Sequence, residues 1–329
     1  MDKCYSNNIS CNTIDLLKFI MAFVVVSIHT TNFETFNCLF ANDLLQYVKC
    51  FAVPFFFAVS GYFLYRKLSV LPDDEHDAVF DKALRKTLML YVIWSITYIP
   101  INLYGEYYEW GHTSLIVMIS SMVRGWLFVG QNYGSWIMWY ILAYIVALLL
   151  IKYLHRMFSY PVIIGISFLM LTIGWFYSFN HDTYSIALYD NLFKSTRNGF
   201  FWGFPCVCAG FVVPMMFGQQ RTSRTSILLL GIVLLVALFI VPTSYRQLLY
   251  PVMGGGVILT IGLLLPIHSE SRVFVTIRRM SIAIYFMHLI PTFLYSVLFG
   301  IPFGLELFAY VSITSTMLSY VYVLTSRIN

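Results

Sequence analysis

Ten long apolar runs constrain this chain more than any other feature. They occupy 14–31, 45–65, 87–104, 135–151, 160–179, 198–217, 226–241, 247–266, 281–299 and 305–324. A helix needs roughly 20 apolar residues to cross the hydrocarbon of a bilayer. Within that hydrocarbon only helices and closed barrels satisfy every backbone group. The chain is 59% hydrophobic and 11% charged, whereas soluble proteins carry about 25% charged residues. Too few polar side chains remain to clothe a soluble domain of this length. The expected fold class is all-α: a polytopic integral membrane bundle with one transmembrane helix per run. An eleventh stretch, "LIVMISSMVRGWLFV" at 115–129, is short and carries Arg124. It reads as a re-entrant or interfacial helix. The opening "MDKCYSNNISCNT" is polar and has no signal-peptide pattern. It is expected to be a cytoplasmic tail, 1–13, ahead of a single transmembrane domain over 14–325.

A net charge of +5 does not point to nucleic acid, because no Lys/Arg run is long enough to build a groove. Basic residues in a polytopic protein collect in cytoplasmic loops. With ten crossings both termini share a side. Fifteen of the 20 Lys and Arg residues, from Lys3 to Arg327 and including Arg221 and Arg224, then fall on that side. Lys49, Arg124, Lys194, Arg197 and Arg246 fall on the other. If 115–129 also crossed, this bias would break. The expectation is a multi-pass protein of a bacterial-type plasma membrane, with both termini cytoplasmic. The six cysteines, Cys4, Cys11, Cys38, Cys50, Cys206 and Cys208, show no C-x-x-C spacing. No disulfide framework and no metal site are expected, and Cys206 and Cys208 read as packing residues. The acidic stretch "PDDEHDAVF" at 72–80 reads as a solvated loop.

The first run, "IDLLKFIMAFVVVSIHTTNF", carries Asp15, Lys18 and His29. Ionisable groups in a membrane helix are costly and face the bundle or a cavity. Eleven residues separate Lys18 from His29. That is about three helical turns, so the two share a face roughly 16 Å apart along the axis. Lys18 taken alone also fits a snorkelling anchor, and His29 an interfacial histidine. The charge balance puts Lys18 near the cytoplasmic face and His29 near the outer one.

A basic residue, ten intervening positions and a histidine in the first span resemble the signature of the membrane acyltransferase 3 family. The family's usual basic residue is arginine, where this chain has Lys18. "FAVPFFFAVSGYFLY" (51–65), "KALRKTLMLYVIWS" (82–95), "WYILAYIVALLL" (139–150) and "IAIYFMHLI" (282–290) follow in the family's order, so the resemblance covers essentially the whole chain. "STRNGFFWGFPCVCAGFVV" (195–213) resembles the membrane domain of the serine/alanine racemases of vancomycin resistance. In those proteins a pyridoxal-phosphate racemase domain follows the last span. This chain ends at Asn329, so no soluble catalytic domain and no pyridoxal phosphate are expected in it. A fused or separate cytoplasmic racemase domain and a homo-oligomer stay open as partners, beside the lipid bilayer itself.

The resemblance implies an enzyme that transfers acyl groups other than amino-acyl groups. The donor would be cytoplasmic acyl-CoA, usually acetyl-CoA. The acceptor would be a small-molecule hydroxyl or amine at or across the membrane, and cell-wall sugar, peptidoglycan precursor, lipid and amino acid all remain open. On that reading His29 is the general base and Lys18 a cation at the donor entry. Lys82, Arg85 and Lys86 would hold the CoA phosphates, although positive-inside anchoring explains the same three charges. Arg197, Asn198, Arg124 and Glu34 are the candidates for acceptor binding. Arg197 also fits an interfacial anchor, and Glu34 lies five residues past His29, where a loop is expected. His288 reads as an interhelical hydrogen-bonding residue. The alternative function is L-serine uptake by a racemase membrane domain. A cation such as Arg197 or Lys18 would then hold the carboxylate, and Asp15 or Glu34 the ammonium.

Overall fold

A computed structural model describes residues 12–217, 224–240, 254–267, 269 and 271–325. Every regular element among them is helical. Lys3, Cys4, Cys11, Arg221, Arg246 and Arg327 lie outside the described residues, as does the 247–253 part of the eighth apolar run.

The helices follow the apolar runs. They are α1 (Asn12–Thr30), α2 (Leu39–Leu68), α3 (His76–Thr97), α4 (Ile99–Tyr104), α5 (Leu115–Arg124), α6 (Met138–Leu154) and α7 (Tyr160–Phe179). Then come α8 (Ala187–Phe193), α9 (Phe204–Phe217), α10 (Arg224–Ile240), α11 (Gly256–Leu264), α12 (Arg272–Met287), α13 (Leu289–Phe293) and α14 (Leu305–Thr325). Single π-turns extend α4 over Gly105–Glu109, α5 over Gly125–Val129 and α13 over Leu294–Leu298, and another precedes α9 over Gly199–Gly203. Each of the ten runs is helical, the third, sixth and ninth across consecutive elements and the eighth over its described part.

Six of these helices are long and apolar enough to cross a membrane: Asn12–Thr30, Leu39–Leu68, Tyr160–Phe179, Gly199–Met216, Arg272–Leu298 and Leu305–Thr325. The bent pair Asp73–Thr97 and Ile99–Glu109 makes a seventh if it counts as one span. The protein is thus a multi-pass helical membrane protein, with fewer full-length spans among its described residues than the ten runs suggest. The reasons are local. The third run is broken by 50°, because Pro100 near the start of α4 removes a helix donor and crowds the preceding turn. The helix α6 and the described part of α10 have 17 residues each, at the lower end of the spanning range, where a crossing relies on local thinning of the bilayer. The 115–129 stretch is a helix of the same shorter class, ended by Gly130 in the left-handed conformation at φ 77°.

The acidic stretch 72–80 is solvated over 72–75, as expected of a loop, and helical beyond it. Asp73–Glu75 form one 3-10 turn and His76 opens α3. His76 is buried, and its Nε2 donates to the Leu68 and Leu71 carbonyls at 2.9 and 3.2 Å. The Tyr160 hydroxyl donates to its Nδ1 at 3.0 Å. Asp77 pairs with Arg156 at 2.6 Å and Asp81 with Lys152. Charges absent from any sequence neighbourhood therefore fix α3 to the end of α6.

The chain divides into two compact units. The first is Met1–Phe56, Thr222–Phe239 and Val257–Asn329; the second is Phe57–Arg221 and Ile240–Gly256. In the first, α1, α12 and α14 pack on one another around Ala22, Val26, Met280, Ile284, Leu307 and Val311. The start of α1 is sewn to the segment after α11. Asn12 donates to the Ile267 and Ser269 carbonyls at 3.2 and 2.7 Å, and the Thr13 hydroxyl to Leu265 O at 2.7 Å. At the other end Gly304 N donates to Thr30 O at 2.9 Å.

In the second unit the later part of α2 meets α9 at backbone distance. A Cβ added at Gly61 would stand 2.0 Å from Val207 O, and one added at Gly210 would stand 2.0 Å from Ala58 O. The two glycines let the helices touch reciprocally, as small residues do in membrane bundles. Cys206 and Cys208 are fully buried beside this crossing.

Candidate functional site

Helix α1 carries two polar stations. At its start Asp15 is buried at 3% exposure, with Lys18 Nζ 3.7 Å from Oδ1 and Arg278 NH1 of α12 3.7 Å from Oδ2. Two cations thus face one carboxylate, and the station keeps an excess positive charge. Lys18 is partly exposed, as its sequence position near the helix start allows.

The second station lies about three turns further along the same face. His29 packs against His288, ring centroids 5.4 Å apart and planes tilted by 35°. His288 is fully buried at the end of α12. Its Nδ1 donates to Ile284 O at 3.1 Å, and its Nε2 has no hydrogen-bond partner among the described residues. The sequence reading gave His288 an interhelical hydrogen bond; the bond it makes runs within its own helix, and its interhelical contact is ring against ring with His29. A ring whose Nδ1 carries the hydrogen presents an unprotonated Nε2, and burying that lone pair unused is costly. Lys49 of α2 reaches the same end of α1. It is 8% exposed, its Nζ donates to Thr31 O at 3.3 Å, and its charge acts on His29. Glu34 lies exposed in the turn after α1, where its backbone nitrogen bonds to Asn32 Oδ1 at 3.2 Å.

The second unit holds the remaining candidates. Lys82, Arg85 and Lys86 lie on one face of α3 and, with Asp81 and Met89, line a cleft of about 400 Å³. Asp81 is taken by Lys152, so the three cations have no ion-pair partner among the described residues. Arg124 ends α5 with its Nε 3.5 Å from Leu192 O. Lys194, two residues on in that loop, places its Nζ 5.5 Å from the Trp110 ring centre. Burial, then the Arg124 charge, pulls the Lys194 ammonium below its ordinary range, with Glu106 acting against them. Arg197 is exposed, its guanidinium 6.0 Å from the Trp202 ring centre. Asn198 is buried and caps the turn before α9. Its Oδ1 accepts from Phe200 N and Phe201 N at 3.0 and 3.2 Å, and its Nδ2 donates to the Tyr189 hydroxyl at 2.6 Å.

Lys49 and Glu106 escaped the sequence reading as site residues, and His288 entered it without its contact to His29. Lys49 entered it only as a loop charge, although a single lysine inside the 45–65 apolar run was the signal. His288 lies seven residues after Ser281 and three after Tyr285, a helical-face spacing that marks a polar stripe. Glu106 is fully buried in the turn after α4, accepting from His112 Nδ1 at 2.7 Å on Oε2, with Oε1 unpartnered.

A multi-pass helical bundle with an imidazole pair at one end of its first helix defines the class of protein. The chain belongs to the acyltransferase 3 family, whose model, described as an acyltransferase domain, matches residues 12–325. Among curated proteins it is similar to two amino-acid racemases of Enterococcus faecalis. One is 27% identical over 65% of this chain and 30% of its own length, the other 29% identical over 60% and 27%. A serine/alanine racemase of Enterococcus gallinarum is 26% identical over 66% of this chain and 31% of its own length. The chain thus spans less than a third of the length of the curated relatives it matches. No solved structure matches it.

Proposed function

We propose that the chain takes an acyl group, acetyl in the simplest case, from cytoplasmic acyl-CoA and places it on a hydroxyl or amine acceptor at or across a bacterial-type plasma membrane. The observation that carries this reading is the imidazole pair, His29 against the buried His288, inside the segment the family model matches. His29 takes the proton of the acceptor O–H or N–H as the oxygen or nitrogen attacks the thioester carbonyl. The C–S bond then breaks, and the departing thiolate takes up that proton from His29. The His288 Nε2 lone pair supports His29 by offering its ring a hydrogen-bond acceptor. In this reading both termini are cytoplasmic, the chain crosses ten times and α5 lies in the interface, so the acceptor meets His29 from the outer side.

Lys82, Arg85 and Lys86 are the proposed anchor for the CoA phosphates. Arg85 offers a two-pronged donor and the lysines point charges. Lys18, held beside Asp15 and Arg278, is the proposed donor-side cation of α1. Arg124 and Arg197 are proposed acceptor-binding residues of the second unit, with Asn198 fixing the loop that carries Arg197, and Glu34 is one of the first unit. Arg85→Ala is expected to raise KM for acyl-CoA about tenfold or more, as loss of a charge-assisted contact does, with kcat little changed. The same variant should use acyl-pantetheine, which lacks the nucleotide, as well as the parent does. Steady-state kinetics with both donors check this; an equal loss with both rules out a phosphate anchor at Arg85.

A second reading is uptake of an amino acid such as L-serine for a racemase. The enterococcal relatives are named as racemases of amino acids, serine and alanine among them, which makes an amino acid a candidate cargo. It differs from the first in needing no acyl donor and no base at His29.

A further inference from the structure

Lys49 is a buried cation with no carboxylate within ion-pair distance among the described residues, and it sits beside the candidate base. Among the described residues its ammonium donates to the Thr31 carbonyl at 3.3 Å. That bond caps the end of α1, since Thr31 N and the Thr31 hydroxyl already bond to Ser27 O. Capping a helix end is ordinary work for lysine, but it is done at the surface, where the ammonium stays hydrated. Here the side chain is buried, its hydrogen bond is long, and no carboxylate lies within ion-pair distance among the described residues. A buried charge in this state is costly, and an anion that binds beside it relieves the cost. The charges that do so at an acyl-transfer centre are anionic oxygens. The tetrahedral adduct of a thioester carries one, and fixed donors aimed at it are the largest single source of acceleration in such reactions.

We infer that Lys49 is the anion-binding residue of the His29 centre, donating to the oxyanion that forms when the acceptor attacks the thioester carbonyl. The assignment rests on reading His29 as the base for acyl transfer. His29 and Lys49 then divide the labour: the first takes the proton of the nucleophile, the second holds the negative oxygen. When the adduct collapses, the oxyanion pair reforms the carbonyl, the thiolate leaves, and Lys49 returns to its unpaired state.

The test uses the full chain in detergent or nanodiscs with Lys49→Gln, which can still donate to Thr31 O but carries no charge, and Lys49→Arg, which keeps the charge. Thermal melting establishes that each variant folds. With acyl-CoA as donor, Lys49→Gln should lower kcat about 100-fold with little change in KM, as loss of one oxyanion donor does, and Lys49→Arg should recover part of it. A second arm needs no acyl chemistry. Formate, a small anionic oxygen, should slow carbethoxylation of His29 by diethyl pyrocarbonate, followed by peptide mass spectrometry, about threefold in the parent and not in Lys49→Gln. Equal protection in both, or kcat within about threefold of the parent in Lys49→Gln, overturns the role of Lys49. If the parent transfers no acyl group yet formate protects His29 through Lys49, the anion site stands and the acyl-transfer reading falls.

Discussion

His29→Ala is expected to lower acyl transfer about 10²- to 10⁴-fold, the usual worth of a positioned general base, while leaving the bundle folded. The fold survives because the core of the first unit is built elsewhere. Ala22 and Val26 of α1 pack against Met280, Ile284, Leu307 and Val311, and none of these touches depends on the imidazole. His29 is only partly buried, so its removal costs little packing. His29→Gln is the sharper variant. It fills a similar volume and carries an amide that can donate, but it cannot take a proton, so it should be as inactive as alanine. Transfer of labelled acetyl from acetyl-CoA, measured beside size-exclusion behaviour and melting temperature, checks both. Activity within about tenfold of the parent in folded His29→Gln would remove the base from His29.

The second large effect is on stability. Gly61→Leu and Gly210→Leu should each prevent folding, and the alanine variants should each cost about 1–3 kcal/mol. A Cβ at either position would stand 2.0 Å from a main-chain oxygen of the facing helix, and backbone cannot step aside as a flexible side chain can. The two contacts belong to one crossing, so the double alanine variant should cost less than the sum of the singles, since the first substitution already separates the helices. Thermal unfolding in detergent, followed by tryptophan fluorescence, reads these differences. Unchanged melting temperatures in both alanine variants would mean that α2 and α9 do not pack at backbone distance.

The placement of these helices was legible in the sequence because bilayer thickness makes hydropathy a strong signal. The boundaries of α1, α7 and α14 fall within two residues of the apolar runs that announce them. What was not legible are features decided by distant partners. The 72–80 stretch looks like a loop because four of its residues are acidic, yet Asp77 belongs to a helix, and Asp77 and the neighbouring Asp81 pair with Arg156 and Lys152, some 70 residues away. The bend before α4 was not read from the sequence, because the apolar run 87–104 continues through Pro100. At the candidate site, spacing alone put Lys18 and His29 on one face of α1. It did not find Lys49, because one lysine counts the same in a charge balance whether it is buried or exposed. Nor did it find the contact of His288 with His29, because the pairing of α1 with α12 joins segments some 250 residues apart in the chain.

The most direct test is made in proteoliposomes holding the full chain and a mixture of hydroxyl and amine acceptors. Labelled acetyl-CoA is supplied, and label leaving the thioester is followed for the parent and for His29→Ala. The expected result is acetyl transfer, or slow hydrolysis where no acceptor fits, that disappears in His29→Ala. Labelled L-serine entering CoA-free vesicles equally well in the parent and in His29→Ala, with no loss of the acetyl thioester in either, would contradict it.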